Sequence, residues 1–290
     1  MTNPLQRAWR TLRGGAAHQR RRELVILSMP RTGSSYLCDC LATLPGVVVP
    51  REIFNPRGYG PLLKMANAKD RFEKILGHTL EHLDDAELHR YFLEHPLEAI
   101  ETLADAAARQ RASLMVYKVI HHQLDRPRLE AILTQRRPHV LVLVRRRLDV
   151  WISIRKAVAV GKWHHRDTKD VEVAVDVDQF VAWMRVRDDW YAYVTQFTRQ
   201  LGLAVRVLDY DRDIDRPLGE LQHSARELLE GLGVRLRGGD GANVPIRERQ
   251  DARTDPFAKI TNGEALRATL IERGLLDYAL SSPLDDRIHR

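Results

Sequence analysis

Five short apolar runs, separated by stretches with helical periodicity, set the strongest limit on what this chain can fold into. Each run is rich in β-branched residues and bounded by polar residues, which is typical of buried strands. The runs are LVILSM (24–29), GVVVP (46–50), SLMVYKVI (113–120), HVLVLV (139–144) and AVRVLDY (204–210). Their nearly continuous apolarity predicts a parallel sheet that is covered on both faces.

The stretches between these runs carry apolar residues at intervals of three or four, which predicts helices. The predicted helices span 34–44, two segments of 84–111 that break near Pro96, 126–136, 148–160, 176–201, 217–232 and 262–276. The alternation of strand and helix indicates one α/β sheet with right-handed crossovers. Ligands of such sheets bind beyond the carboxyl ends of the strands, so we expect the functional residues to follow the strands.

The length of the chain bears on the number of domains, and its net charge bears on the kind of partner that it binds. The 290 residues contain no internal repeat or low-complexity linker, so we predict a single domain over 23–290 after a basic leader over 1–22. The net charge of +7 predicts an anionic partner: a phosphorylated ligand, nucleic acid or an acidic membrane. The charge alone does not choose among these three.

The leader and the cysteines bear on localisation. The leader has several Arg residues and Trp9 but no apolar signal core, which disfavours secretion. It could make a peripheral contact with an anionic membrane, although a solvated, frayed leader is the commoner case. Cys38 and Cys40 lie two residues apart on a predicted helix and face different directions, so we expect reduced thiols. We therefore predict a cytoplasmic protein.

The first apolar run leads through a short loop into a predicted helix. The loop would present backbone N–H groups, an arginine and two hydroxyls to an anion, and its candidate binding residues are Arg31, Thr32, Gly33, Ser34 and Ser35. The triphosphatase pattern G-x-x-x-x-G-K-[ST] is not met, because Ser34 stands where the lysine belongs. The loop therefore predicts a site for one phosphate or phosphosulfate group, with a serine-capped strand-to-helix turn as the alternative.

A second basic element follows the fourth run. Arg145, Arg146 and Arg147 stand at the carboxyl end of that run, and Ser153 follows Arg145 by eight residues. An arginine at a strand end and a hydroxyl on the next helix can together bind a second phosphate. An exposed basic patch is the alternative interpretation.

The two elements together resemble those of sulfotransferases that use 3′-phosphoadenylyl sulfate. MPRTGSSYL is similar to their 5′-phosphosulfate loop, and VRRRLDVWIS is similar to their 3′-phosphate element, in which Arg145 and Ser153 bracket Asp149 and Val150. Within that superfamily the chain resembles the bacterial carbohydrate sulfotransferases of the trehalose-sulfotransferase type and the rhizobial nodulation-factor sulfotransferase. The resemblance is clearest over 24–56 and 139–165, which include RKAVAVGKWH.

The resemblance implies a fold, a donor and an acceptor. The fold would be the sulfotransferase fold, a P-loop NTPase-like central parallel sheet with helices on both faces, and no metal would be needed. The donor would be 3′-phosphoadenylyl sulfate, and the acceptor would be a hydroxyl of a carbohydrate or glycolipid. Arg31 would face the leaving phosphate.

The resemblance also implies a catalytic base. In this family a carboxylate in the element that Glu52 opens is proposed to accept the proton of the acceptor hydroxyl. A carboxylate suits that role if partial burial raises its pKa. A surface glutamate beside Arg51 is the alternative.

Later segments supply further candidates. His121, in the histidine pair after the third run, is a candidate acceptor contact, as are Trp163 and His164 in AVGKWHHRD. Arg247 and Arg249 in VPIRERQDARTDP are candidates to close over the 3′-phosphate, although the glycine-rich RKG loop of other sulfotransferases is absent. Ordinary loop positions are the alternative for all five.

Two other functions stay open. A P-loop kinase or other nucleotide-binding protein is disfavoured by the missing Gly-Lys pair, although Asp209 could hold Mg²⁺. The other alternative is a non-catalytic anion-binding protein, and since no nucleic-acid motif appears we expect no nucleic acid as partner. Residues 84–111 could form a homodimer contact or a lid.

Overall fold

The structure, a computed structural model, describes residues 23–57, 59–63, 65–82, 84–161, 168–236, 245–246 and 253–284. The predicted leader lies outside the described residues. Four of the predicted site residues also lie outside them: Trp163, His164, Arg247 and Arg249.

Five parallel strands form one sheet at the centre of the described chain, in the order β2-β3-β1-β4-β5. The strands are β1 (Glu23–Ser28), β2 (Val47–Arg51), β3 (Leu114–Ile120), β4 (His139–Val144) and β5 (Val205–Asp209). Each predicted run forms one strand, so the prediction of a parallel α/β sheet is confirmed. Because β1 pairs with β3 on one side and β4 on the other, its carboxyl end has neighbours on both sides.

Helices flank this sheet. Those before β4 are α1 (Ser34–Ala42), α2 (Gly60–Leu63), α3 (Ala66–Leu76), α4 (Ala86–Glu94), α5 (Pro96–Arg109) and α6 (Arg126–Arg136). Those after it are α7 (Arg147–Val160), α8 (Val177–Gln200), α9 (Leu218–Gly231), α10 (Gly263–Glu272) and α11 (Leu276–Leu280). The prediction missed α2 and α3, and the helix predicted over 262–276 is divided between α10 and α11.

Alternation along β1 separates the two main cores. Val25 and Leu27 face a core built with α3, α4, α5, α6 and α8, whereas Leu24 and Ile26 face a core built with α1 and α9. Successive strand residues point to opposite faces, so a strand that is apolar throughout needs helices on both sides. A third apolar cluster joins α7, α8, α10 and α11.

Both cysteines, Cys38 and Cys40, lie buried in a hydrophobic core as free thiols. Burial raises the pKa of the Cys38 thiol and raises the pKa of Cys40 to about 12, so both stay protonated at neutral pH. In the part of the chain that the structure describes, no helix is long and apolar enough to cross a membrane.

Arg147 fastens the start of α7 to α8 and α11. Its buried guanidinium donates from Nε to both carboxylate oxygens of Asp188, each at 3.0 Å. Nη1 donates to the carbonyl oxygens of Tyr278 and Ser281 at 3.2 and 3.1 Å, and the guanidinium lies 4.1 Å from the centre of the Tyr278 ring. Arg147 is therefore a buried structural residue, and the alternative of an exposed patch of three arginines does not describe it.

We expect Arg147→Met to lower the free energy of unfolding by about 3–5 kcal/mol, because it leaves the half-buried Asp188 carboxylate without its cation. Urea denaturation measures this loss. Arg146→Met is the matched control, since Arg146 is partly exposed and its partner Asp149 also pairs with Lys259. The control should cost about 1 kcal/mol or less, and equal losses in the two variants would contradict the assignment.

Candidate active site

The loop after β1 has a constrained backbone. Arg31 and Gly33 both have positive φ angles, 68° and 84°. The left-handed region is costly for a residue with a Cβ, so Arg31 is held there by its surroundings. The buried Thr32 hydroxyl donates to the carbonyl oxygen of Met29 at 2.9 Å and closes the turn. Strain of this kind in a loop at a strand end is typical of a binding site.

The serines after this loop do not cap the helix. Gly33 is the N-cap of α1, and no side chain accepts a hydrogen bond from the first turn. The alternative of a serine-capped turn is therefore not what the structure shows. Ser34 and Ser35 instead direct their hydroxyls toward a lysine on the neighbouring strand.

That lysine is Lys118, which lies in β3 and is 2% exposed. Its Nζ lies 2.8 Å from the Oγ of Ser35 and 3.5 Å from the Oγ of Ser34. On its other side, Nζ lies 2.7 Å from Oε1 of Glu52. The cation that the loop sequence lacks thus reaches the loop from the next strand, although the sequence analysis gave Lys118 no role.

Glu52 lies directly after β2 with an 18% exposed side chain. Its Oε2 accepts hydrogen bonds from Asn55 Nδ2 at 2.6 Å and Gln123 Nε2 at 3.0 Å. Burial acts to raise the pKa of Glu52, but the Lys118 ion pair and the two amide hydrogen bonds outweigh it and lower the pKa to about 2. The condition that would favour a base, a pKa raised by burial, is not met, because the buried environment supplies a cation as well as desolvation.

The two predicted anion-binding elements meet at Arg31. Its Nε donates to the Oγ of Ser153 at 2.9 Å, and its carbonyl oxygen accepts from Nη1 of Arg145 at 3.0 Å. Burial and the nearby Arg145 lower the pKa of Arg31 to about 10, so Arg31 remains cationic at neutral pH. Arg145, Ser153 and the loop therefore form one continuous site.

An aromatic ring supports the two basic elements from the end of β5. The guanidinium of Arg145 lies 4.1 Å from the centre of the Tyr210 ring. The same ring covers Gly33, where an added Cβ would lie 2.3 Å from Cδ2 of Tyr210. Tyr210 thus fixes the distance between the loop and Arg145, a role that the sequence analysis did not foresee.

Two acidic residues at this edge, Asp149 and Asp209, have partners within the protein. Asp149 accepts from Nζ of Lys259 at 2.5 Å and lies 3.2 Å from Nη1 of Arg146. Asp209 accepts hydrogen bonds from two backbone N–H groups of the following turn, those of Asp211 and Arg212. Among the described residues no group of three or more His, Cys, Asp and Glu side chains is placed to hold a metal ion.

His121 lies on the side of the site that faces α8. Its ring packs edge-on against Trp190, with 5.6 Å between the ring centres. Burial, Arg187 and His122 lower the pKa of His121 to about 4, so the imidazole is neutral at neutral pH. The turn that begins at His121 ends at Gln123, whose side-chain amide donates to Glu52. His121 is therefore two residues from a residue that contacts the carboxylate.

A small cavity lies between the loop and α8. Its lining residues include Met29, Thr32, Arg145, Trp183, Arg187 and Tyr191. The tyrosine hydroxyl is engaged, because it accepts from the N–H of Met29 at 3.2 Å and donates to the carbonyl oxygen of Leu143 at 2.8 Å. The cavity has room for about one water molecule.

No family model matches the chain, and no curated protein is significantly similar to it. The argument for a function therefore depends on the site itself. Three cations, Arg31, Arg145 and Lys118, surround a loop with backbone donors, and the carboxylate of Glu52 lies beside them. Such a site can bind an anionic group and take a proton from a hydroxyl next to it.

We expect Gly33→Ala to destabilise the protein by about 2–4 kcal/mol, because the new Cβ adds an overlap with Tyr210 to the cost of a positive φ. Gly77→Ala is the matched control, since Gly77 has a φ of 78° but nothing within 4 Å of an added Cβ. The control should cost only about 1 kcal/mol. Urea denaturation of both variants measures the loss in free energy of unfolding. Equal losses would show that the Tyr210 ring moves aside without a free-energy cost.

Proposed function

We propose that the chain is a sulfotransferase, with a P-loop NTPase-like fold, that transfers a sulfuryl group from 3′-phosphoadenylyl sulfate to a hydroxyl of a carbohydrate or glycolipid. One observation carries the proposal: the Arg31 side chain joins the loop to Ser153, and its carbonyl joins the loop to Arg145. These are the residues of the two elements that resemble donor-binding elements of sulfotransferases, and they lie 114 and 122 positions apart in the chain.

The reaction needs one base and a set of donors. The acceptor oxygen forms a bond to sulfur, the bond between sulfur and the phosphate oxygen breaks, and the phosphate keeps that electron pair. The acceptor proton passes to the carboxylate of Glu52. Arg31, Lys118 and the backbone N–H groups of the loop stabilise the charge that develops on the phosphate.

The donor would lie across the carboxyl end of β1. Its 5′-phosphosulfate would occupy the loop, with Thr32, Gly33, Ser34 and Ser35 around it. Arg145 would bind the 3′-phosphate from the other side, joined by Ser153. Arg247 and Arg249, from outside the described residues, remain the proposed closing contacts.

The acceptor would approach from the side of the turn at 121–123. His121 is partly exposed and packs edge-on against the buried Trp190, so it would offer a neutral imidazole to a sugar hydroxyl. Trp163 and His164 are proposed as further acceptor contacts. The proposal also keeps the expectations of a cytoplasmic protein, no nucleic-acid partner, a homodimer contact through 84–111 and a peripheral membrane contact of the leader.

A kinase or nucleotidase is the second candidate, and Lys118 favours it. A buried ammonium next to the loop hydroxyls can contact a phosphate chain as a loop lysine would. Against it, Asp209, the carboxylate offered for Mg²⁺, serves as the acceptor for the turn that follows β5. The two candidates differ in the ligand that they bind.

We expect adenosine 3′,5′-bisphosphate to raise the melting temperature of the protein by on the order of 5 °C at about 100 times its Kd. ATP with Mg²⁺ at the same concentration should raise it by much less, because the described residues form no group of three or more His, Cys, Asp and Glu side chains that could hold the metal. Thermal denaturation with each ligand measures the difference. If ATP with Mg²⁺ stabilises the protein and the bisphosphate does not, the sulfotransferase proposal is wrong and the kinase is favoured.

We expect Glu52→Gln to lower kcat by about 100-fold or more while binding of the bisphosphate is retained, because the amide cannot accept the acceptor proton. Transfer of radiolabelled sulfate to a panel of mono- and disaccharides that includes trehalose measures the rate. Glu23→Gln is the matched control, since Glu23 is also a buried carboxylate in an ion pair, with Arg136, but at the amino end of β1. Full turnover in Glu52→Gln would remove Glu52 as the base.

A further inference from the structure

Lys118 is shared between the loop and the candidate base. An ammonium group has three N–H donors. Nζ of Lys118 lies 2.8 Å from Ser35 Oγ and 2.7 Å from Glu52 Oε1, which engages two of the three donors. For the third donor, the contact among the described residues is the longer one, 3.5 Å, with Ser34 Oγ. The side chain is 3% exposed, so water does not compete for these contacts. An anion in the loop would therefore meet an ammonium that already has one anionic partner.

The two oxygens of Glu52 are held in different ways. Oε2 accepts from the side-chain amides of Asn55 and Gln123, which are neutral donors and do not depend on the loop. Oε1 pairs with Lys118. Movement of the lysine would release Oε1 and leave the carboxylate anchored through Oε2.

We propose that Lys118 couples donor binding to the activity of Glu52: an anionic group in the loop draws the ammonium away from Oε1, and only then is Glu52 free to take the acceptor proton. This inference rests on the proposed function, because it requires an anion in the loop and a proton transfer beside it. It gives the site an order of events, in which the donor prepares the base before the acceptor hydroxyl reacts.

The charges around Glu52 support this coupling. From β3 it faces Lys118, from the 121–123 turn the neutral Gln123 amide, and from its own segment the neutral Asn55 amide. Arg51, the preceding residue, pairs through Nη2 with the buried Asp39, and Lys118 is the charged side chain that lowers the pKa of Glu52. Burial acts to raise the pKa of Glu52, so the carboxylate becomes a stronger base as soon as the lysine turns to another anion.

Binding of adenosine 3′,5′-bisphosphate, measured by titration calorimetry at neutral pH, tests the coupling. If Glu52 and the ligand compete for one ammonium, Glu52→Gln should bind the bisphosphate about fivefold more tightly, or better, than the wild type. Lys118→Met should bind it more weakly. In the Lys118→Met background, the further change Glu52→Gln should give no gain, because no shared cation remains.

The double variant separates this coupling from simple repulsion between Glu52 and the ligand. Repulsion alone would give the same gain with and without Lys118, and that result would overturn the inference. Unchanged or weaker binding by Glu52→Gln would also overturn it, while leaving donor binding intact. If the wild type binds no bisphosphate, the proposed function is wrong, and the inference that rests on it is wrong as well.

Two controls complete the design. Glu23→Gln removes a buried, paired carboxylate far from the loop and should leave the affinity for the bisphosphate unchanged. If Lys118→Met does not fold, Lys118→Gln keeps a neutral hydrogen-bond donor at the same position and takes its place in the double variant. A gain in Glu52→Gln that survives in Lys118→Gln at full size would again overturn the inference.

Discussion

A positive charge in the interior of a parallel sheet is the constraint that organises this site. An ammonium removed from water is costly unless an anion and hydrogen-bond acceptors receive it. Lys118 obtains these from two other chain segments, the carboxylate after β2 and the serine hydroxyls after β1. The three segments are distant in sequence, and this single charge specifies how their ends must meet.

The strand order makes that meeting feasible. The sheet places β1 between β3 and β4, so the loop after β1 has Lys118 on one side and Arg145 on the other. In a parallel sheet all carboxyl ends lie at one edge, and each strand can add one residue to a common site. Sequence separations of more than 80 residues are thereby reduced to hydrogen-bond distances.

Much of this fold could be predicted from the sequence because it depends on local periodicity. Buried parallel strands are apolar throughout, and the break between α4 and α5 falls where Pro96 begins a new helix, since proline has no N–H to donate. The missed helix α3 lies in a segment rich in charged residues, and the missed helix α2 is too short, at four residues, to show a periodicity. Their existence depends on packing against the core, through residues such as Phe72.

The site was predicted less completely, for a physical reason. The loop and the pair Arg145 and Ser153 are marked by short patterns, so they could be found. The side-chain contacts between segments were not foreseeable: Arg31 with Ser153, Lys118 with Glu52, and Arg147 with Asp188. Periodicity reports whether a residue is buried and not what it meets. A lysine within an apolar strand was the one available signal, because such a charge demands an anion nearby.

Tyr210 has a consequence for how this sequence can vary over evolution. One ring leaves no space for a side chain at position 33 and supports the guanidinium of Arg145. The side chains allowed at positions 33 and 145 therefore depend on the residue at position 210. A lineage that loses the aromatic ring would be freed from the packing requirement for glycine, though not from its backbone requirement, and would need another support for the arginine. Across descendants, positions 145 and 210 should change together or remain unchanged, whereas position 33 should remain glycine because of its positive φ.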